Sequence, residues 1–238
     1  RPGRDRRWAQ RRRRIRPALM GYRSALLAFA GALALSGCQV ASAATEKPVA
    51  APEATLKAQE PAKLRVAIFA GGCFWGVEGV FSHVKGVKAA VSGFHGGTAA
   101  TASYNQIVTG MTDHAEAVRI VYDPREVRYD ELLRILFSVV ADPTLKNRQG
   151  PDVGRHYRSA IVPMNKEQAR VARAYLKQLD GAGLWSKPVV TAIEPYRAFY
   201  EAESYHQDFM ARNPRHGYIL AWDKPKVEAL ARMYPQHY

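Results

Sequence analysis

The hexad Gly71-Gly72-Cys73-Phe74-Trp75-Gly76 sets a thiol between paired glycines and two aromatic rings. An apolar run (Leu64, Val66, Ile68, Phe69) precedes it, and a helical pattern (Val77, Val80, Phe81, Val84) follows it. Cys73 is therefore expected at a strand-to-helix junction. Backbone N–H groups and the positive end of a helix dipole meet at such a point, and both favour the reactive thiolate. The glycines let the backbone turn tightly, and the rings supply an apolar wall beside the sulfur. The competing reading is a small buried thiol packed under a helix; the paired glycines and aromatics weigh against it.

A reactive thiol needs proton donors. Glu116 follows His114-Ala115 at the start of an alternating stretch. A carboxyl at such a strand end holds a proton if it is partly desolvated, and otherwise is an ordinary solvated acid. Tyr104 and Tyr157 carry hydroxyls that either donate to an oxygen in a pocket or only fill space. Asp152, in Gly150-Pro151-Asp152-Val153-Gly154, reads first as a turn former. His206 falls in a helical pattern and reads as a core or capping histidine. No Cys-x-x-Cys pair occurs, so a structural zinc is not expected, and the thiol chemistry itself needs no metal.

These groups must be held by a scaffold. Leu64–Ala70, Val87–Ser92, Glu116–Tyr122, Arg158–Val162 and Val189–Ile193 read as strands. Gly93-Phe94-His95-Gly96-Gly97 reads as a loop, and Ala141–His156 as a longer one. Phe74–Val84, Ser103–Val108 with Ser103 as cap, Tyr129–Val140, Lys166–Leu179, Tyr200–Met210 and Lys224–Met233 read as helices. Strands and helices mixed with long loops predict an α+β fold, a mostly antiparallel sheet with helices packed on it.

The chain has 238 residues and a formal net charge of +14. Ten arginines and one aspartate fall within residues 1–23, so most of that charge is local. A basic arm for nucleic acid is one reading. The uncharged run Ser24–Gly37 that follows favours another: a basic region, a short apolar segment and small residues make a secretory signal peptide. That run is too short to span a bilayer comfortably. It ends in Leu35-Ser36-Gly37-Cys38, which resembles the bacterial lipobox and assigns Cys38 as the lipid-bearing residue; Ala41-Ser42-Ala43 is the competing plain cleavage site. Met20 is a possible true start. The expected organisation is a leader over 1–37, a flexible Ala/Pro/Glu-rich tether over 38–62 and a catalytic domain over 63–238. A bacterial envelope location and membrane contact only through a lipid anchor follow from that reading.

The motifs in order resemble one family, the A-type peptide methionine sulfoxide reductases. The hexad around Cys73 carries the resemblance, with Gly110-Met111-Thr112-Asp113-His114-Ala115-Glu116, Val121-Tyr122-Asp123-Pro124, Asp142-Pro143-Thr144 and Asn147-Arg148-Gln149-Gly150. Asp152-Val153-Gly154, Tyr157-Arg158-Ser159-Ala160 and Ala202-Glu203-Ser204-Tyr205-His206-Gln207 extend it. The resemblance implies a two-layer α/β sandwich of ferredoxin-like arrangement. It implies Cys73 as nucleophile, Phe74 and Trp75 against the substrate S-methyl group, and Glu116, Tyr104 and Tyr157 on the sulfoxide oxygen, with Asp152 shaping the site. The implied substrate is methionine S-sulfoxide, free or in oxidised proteins and peptides, and no cofactor is implied. Many members carry a resolving cysteine near the C-terminus, whereas no cysteine follows Cys73 here. A sulfenic acid on Cys73 would then be reduced by an outside thiol, a thioredoxin-like protein or a small thiol. His95 and Arg155-His156 also depart from the family pattern. A monomer is expected. Two rival functions use the same residues: a thiol peroxide reductase, and a non-catalytic surface lipoprotein that binds peptides in the aromatic pocket.

Overall fold

The computed structural model describes residues 47–238; Cys38, the Arg-rich leader and the apolar run lie outside the described residues. Chain order is β1 (Arg65–Gly71), α1 (Phe74–Ser82), β2 (Val87–His95), α2 (Tyr104–Ile107), β3 (Ala115–Tyr122) and α3 (Tyr129–Ile135), which runs on into a π-helical turn, Leu136–Val140. A small hairpin follows, β4 (Arg148–Gln149) and β5 (Asp152–Val153), then β6 (Ser159–Val162), α4 (Lys166–Asp180), β7 (Ala192–Ile193), β8 (Phe199–Glu201), α5 (Phe209–Arg212) and α6 (Lys224–Met233). The main sheet has the order β7-β6-β1-β3-β2-β8 and is antiparallel except for the β6–β7 pair.

Alternation along the central strands assigns the two faces. Ala67 and Phe69 of β1, with Val118, Ile120 and Tyr122 of β3, enter one large core with Val77, Val80 and Phe81 of α1, Leu132 and Leu136 of the α3 region, Val171 of α4 and Leu230 of α6. The alternate residues Ile68, Ala70, Ala115 and Ala117 form a small cluster on the opposite face. The helices thus bury their apolar stripes against one face, which is the two-layer α+β architecture expected. Glu116 shares the helix-bearing face with Val118 and Ile120, because side chains two residues apart point the same way.

Four expectations are corrected. Gly93-Phe94-His95 is strand rather than loop, because β3 pairs with it on one side and β8 on the other. Tyr200–Met210 is not a helix. Its first residues pair with β2, and Asp208 takes a left-handed φ of 51° that interrupts any helical run. Only Ala192–Ile193 of the strand expected over Val189–Ile193 joins the sheet; Val190 and Thr191 donate their N–H groups to the Pro143 carbonyl instead. The described part of the flexible tether is fastened down. Val49 donates to the Ser138 carbonyl at 2.9 Å, Ala58 donates to Asp130 Oδ1 at 2.9 Å, and the Tyr175 hydroxyl donates to the Pro52 carbonyl at 2.8 Å. Ala51, Ala54 and Ala58 are buried beneath this strap, so small side chains read as solvated spacer are packing residues.

Candidate active site

Cys73 caps the N-terminus of α1, directly after β1. Gly72 makes the junction possible at φ +89°, where a Cβ would lie 2.6 Å from Gln149 Cβ. Glu116, one residue into β3 and 1% exposed, accepts the Phe74 N–H at 2.9 Å on Oε2. The first free amide of α1 is thus satisfied by the carboxyl, and the acid sits at the base of the helix that carries the thiol.

The electrostatics invert one expectation. The Cys73 thiol is pushed well above its ordinary value, first by burial and then by the fields of Glu116 and Asp223. The Trp75 backbone N–H in the first turn of α1 pulls the other way, as a helix N-terminus should. Burial and the carboxylates win, so the resting site holds a thiol, not the lowered-pKa thiolate expected. Glu116 behaves as predicted. Burial lifts it from 4.5 to about 8, against the Phe74 hydrogen bond that lowers it, so at neutral pH it carries a proton to give. Tyr104 is raised to about 12, chiefly by burial and then by Glu116 and Cys73. Tyr157 is raised for the same reasons. Both remain phenols and hydrogen-bond donors.

Asp152, on β5, accepts a short hydrogen bond from the Tyr218 hydroxyl and is raised chiefly by burial. Its charge raises Cys73, Glu116, Tyr104 and Tyr157 alike, which places it among them rather than in an isolated turn. All the residues expected to act on an oxygen therefore converge on one thiol. Phe74 is buried against Phe94 and His206, with ring centroids 5.8 and 5.0 Å away. Trp75 is half-buried and stacks on Phe209 at 3.7 Å and 7°. Trp75 also lines an apolar cavity of about 400 Å³ with Gly79, Met210 and Val227. None of Cys73, Glu116 and Tyr104 lines that cavity, so the chemistry lies elsewhere around the indole.

The sequence reading missed several partners. His206 is no generic core histidine: the Trp75 indole N–H donates to its Nδ1 at 3.1 Å, and its ring packs 4.3 Å from that of Tyr104. Burial lowers its pKa, so the ring is neutral with its proton on Nε2. Ser103 makes no side-chain cap for α2. Glu203 takes that place, its Oε1 accepting the Tyr104 N–H at 2.9 Å. His206 Nε2 and Glu203 Oε2 are both buried without a hydrogen-bond partner, and the Glu203 charge raises His206 against the effect of burial. Tyr218 and Asp223 complete the surround. Asp223 is buried and lies where a Cβ on Gly76 would stand, 2.2 Å from Oδ1. Its signal in the sequence was only Gly76 itself, a glycine one residue after the tryptophan inside a helix.

Fold and site together define a thiol-centred α+β protein in which a buried, protonated carboxyl stands by the thiol, with phenols and stacked aromatics around them. A family model described as peptide methionine sulfoxide reductase matches residues 65–237, and the chain belongs to that family. The Mesorhizobium japonicum peptide methionine sulfoxide reductase MsrA 2 is 53% identical over 172 residues, covering 72% of this chain and 88% of that one. The Synechocystis relative of the same description is 52% identical over 168 residues, covering 71% and 78%. Among solved structures, Mxr1 from Saccharomyces cerevisiae in reduced form superposes with a TM-score of 0.57 at 28% identity, over 77% of this chain and 96% of that one. Methionine sulfoxide reductase A of Corynebacterium diphtheriae gives 0.56 at 31% identity, over 71% and 84%.

Proposed function

We propose that this chain reduces methionine S-sulfoxide, free and in proteins, with Cys73 as nucleophile and Glu116 as proton donor. One observation carries the reading: a carboxyl 1% exposed, fastened to the helix that begins at the thiol and neutral up to about pH 8. A sulfoxide sulfur is a poor electrophile until its oxygen is protonated or tightly hydrogen-bonded. Glu116, Tyr104 and Tyr157 supply that proton and those bonds, and Trp75 and Phe74 hold the S-methyl group. The partial positive charge of the polarised substrate sulfur favours ionisation of Cys73 on binding, offsetting the burial that keeps the resting thiol protonated.

The first half-reaction moves the oxygen from the substrate sulfur to Cys73. Methionine is released, reduced by two electrons, and a sulfenic acid remains, oxidised by two. A first outside thiol condenses with the sulfenic acid and releases water, leaving a mixed disulfide; a second thiol frees Cys73. No cysteine lies between Cys73 and Tyr238, and the proposed reductant is a thioredoxin-like protein or a small thiol. Intact mass after addition of the S epimer without reductant tests the scheme. One oxygen gained on Cys73 is the expected result, and an unchanged mass overturns it.

The same proposal places the chain in the bacterial envelope as a monomer lipidated on Cys38, supported by the Arg-rich segment, the apolar run and Leu35-Ser36-Gly37-Cys38. Mass analysis of the purified N-terminus checks it. A diacylglyceryl group on Cys38 is expected, and an N-terminus near Ala44 would replace lipidation with simple cleavage.

A further inference from the structure

Three of the four described methionines are half-buried and packed: Met210 and Met233 against the main core, Met164 against the small cluster. Met111 differs. It is 88% exposed, while Val153, the next most open large apolar side chain among the described residues, is 67% exposed. Nothing in the fold holds its thioether.

Its backbone, by contrast, is held. Thr109 Oγ1 donates to the Gln106 carbonyl at 2.6 Å and accepts the Met111 N–H at 3.3 Å. The Gly110 N–H reaches the carbonyl of buried Ile107 at 3.0 Å, and Gly110 turns the chain at φ +73° with open space around it. Beyond Met111, the Asp113 carbonyl accepts from Arg158 at 3.1 Å and the Asp113 carboxylate pairs with Arg155 at 2.7 Å. The loop between α2 and β3 is thus tied at both feet and presents one unbranched thioether at its apex. An exposed methionine is the form most open to peroxide, and its sulfoxide on a projecting loop is what a recessed thiol site can receive from another molecule.

We infer that Met111 is an oxidant-receiving residue that a second copy of the same chain restores. The inference rests on the function proposed above. A peroxide gives one oxygen to the Met111 sulfur and leaves as water or an alcohol. The sulfoxide then gives that oxygen to Cys73 of another molecule, and two outside thiols return it as water. Restoration in trans has a rate that rises in proportion to the active enzyme present.

The test uses full-length Cys73→Ser protein oxidised with hydrogen peroxide, repurified, and then given a trace of wild-type chain with dithiothreitol. Peptide mapping should show Met111 oxidised before Met164, Met210 or Met233. Adding wild type should remove about half of the oxygen at Met111, since peroxide makes both epimers and one is accepted; Met111→Leu should show no such loss. Free methionine S-sulfoxide is assayed alongside. Turnover of the free amino acid with Met111 left fully oxidised overturns the inference and spares the proposed function. Absence of both activities overturns the function itself.

Discussion

Cys73 caps α1 just after β1, Trp75 lies on α1 and Glu116 on β3, elements closed by strand ladders and a continuous helix. His206, Phe209, Tyr218 and Asp223 come from residues 199–223, where regular structure is scarce. That second region is held by side chains reaching backbone. Gln207 accepts from the Ser92 N–H at 3.0 Å and donates to the Ser92 and Ala202 carbonyls at 2.9 Å. Arg212 donates to the carbonyls of Ser204, Tyr205 and Gln207, and the Asp208 N–H reaches the buried Glu78 carboxylate at 3.2 Å. The regular half carries the thiol and the buried carboxyl proposed to react, and the irregular half supplies rings of the aromatic wall. The thiol and the carboxyl sit where cooperative ladders and a helix hold them; the rings from residues 199–223 depend on single bonds to backbone.

Four substitutions test this division. Cys73→Ser should abolish sulfoxide reduction while circular dichroism and melting stay near wild type; surviving turnover would move the chemistry off the regular half. Glu116→Gln should lower kcat by about 10²–10⁴-fold, the usual contribution of a general acid. Wild-type activity should also fall as pH rises past about 8, where Glu116 loses its proton, and Glu116→Gln should lack that limb. Stability follows the same sign: because the folded value is raised, this carboxyl costs stability progressively between about pH 4.5 and 8. A wild-type profile flat to pH 10 would remove Glu116 from its role. His206→Ala deletes the bond to Trp75; at about 1 kcal/mol for a hydrogen bond, kcat/KM should fall by about fivefold, mostly through KM. A drop confined to kcat would mean that the irregular half also takes part in the chemical step. Asp208→Gly is the mildest. Relief of the left-handed backbone and the added chain entropy of glycine nearly cancel, so stability should change by less than about 1 kcal/mol in urea unfolding.

The same division decides what the sequence made legible. β1, α1 and β3 were readable because an alternating run, a glycine pair and a helical stripe each report local geometry that burial reinforces. Glu116 and Cys73 were found through those elements. Gly93-Phe94-His95 misled because its composition is that of a turn, while pairing on both edges is a long-range fact. Tyr200–Met210 misled because its apolar spacing suits a helix, and neither the edge pairing of β8 nor the αL residue Asp208 is visible locally. Asp223 and Tyr218 were invisible because no spacing rule links residues nearly 150 positions from the thiol to its electrostatics. The thiol itself was misjudged in sign: its helix N-terminus was legible, but the three acidic side chains that oppose it, Glu116, Asp223 and Asp152, are tertiary neighbours.

Docking of residues 49–60 onto the α3 and α4 side of the domain makes this strap part of the core's wall. Peeling it away would break the bonds to Ser138, Asp130 and Gln178 together and open the apolar surface that Ala51, Ala54 and Ala58 cover. A truncation that removes it would be a cut into the fold, not the trimming of a spacer.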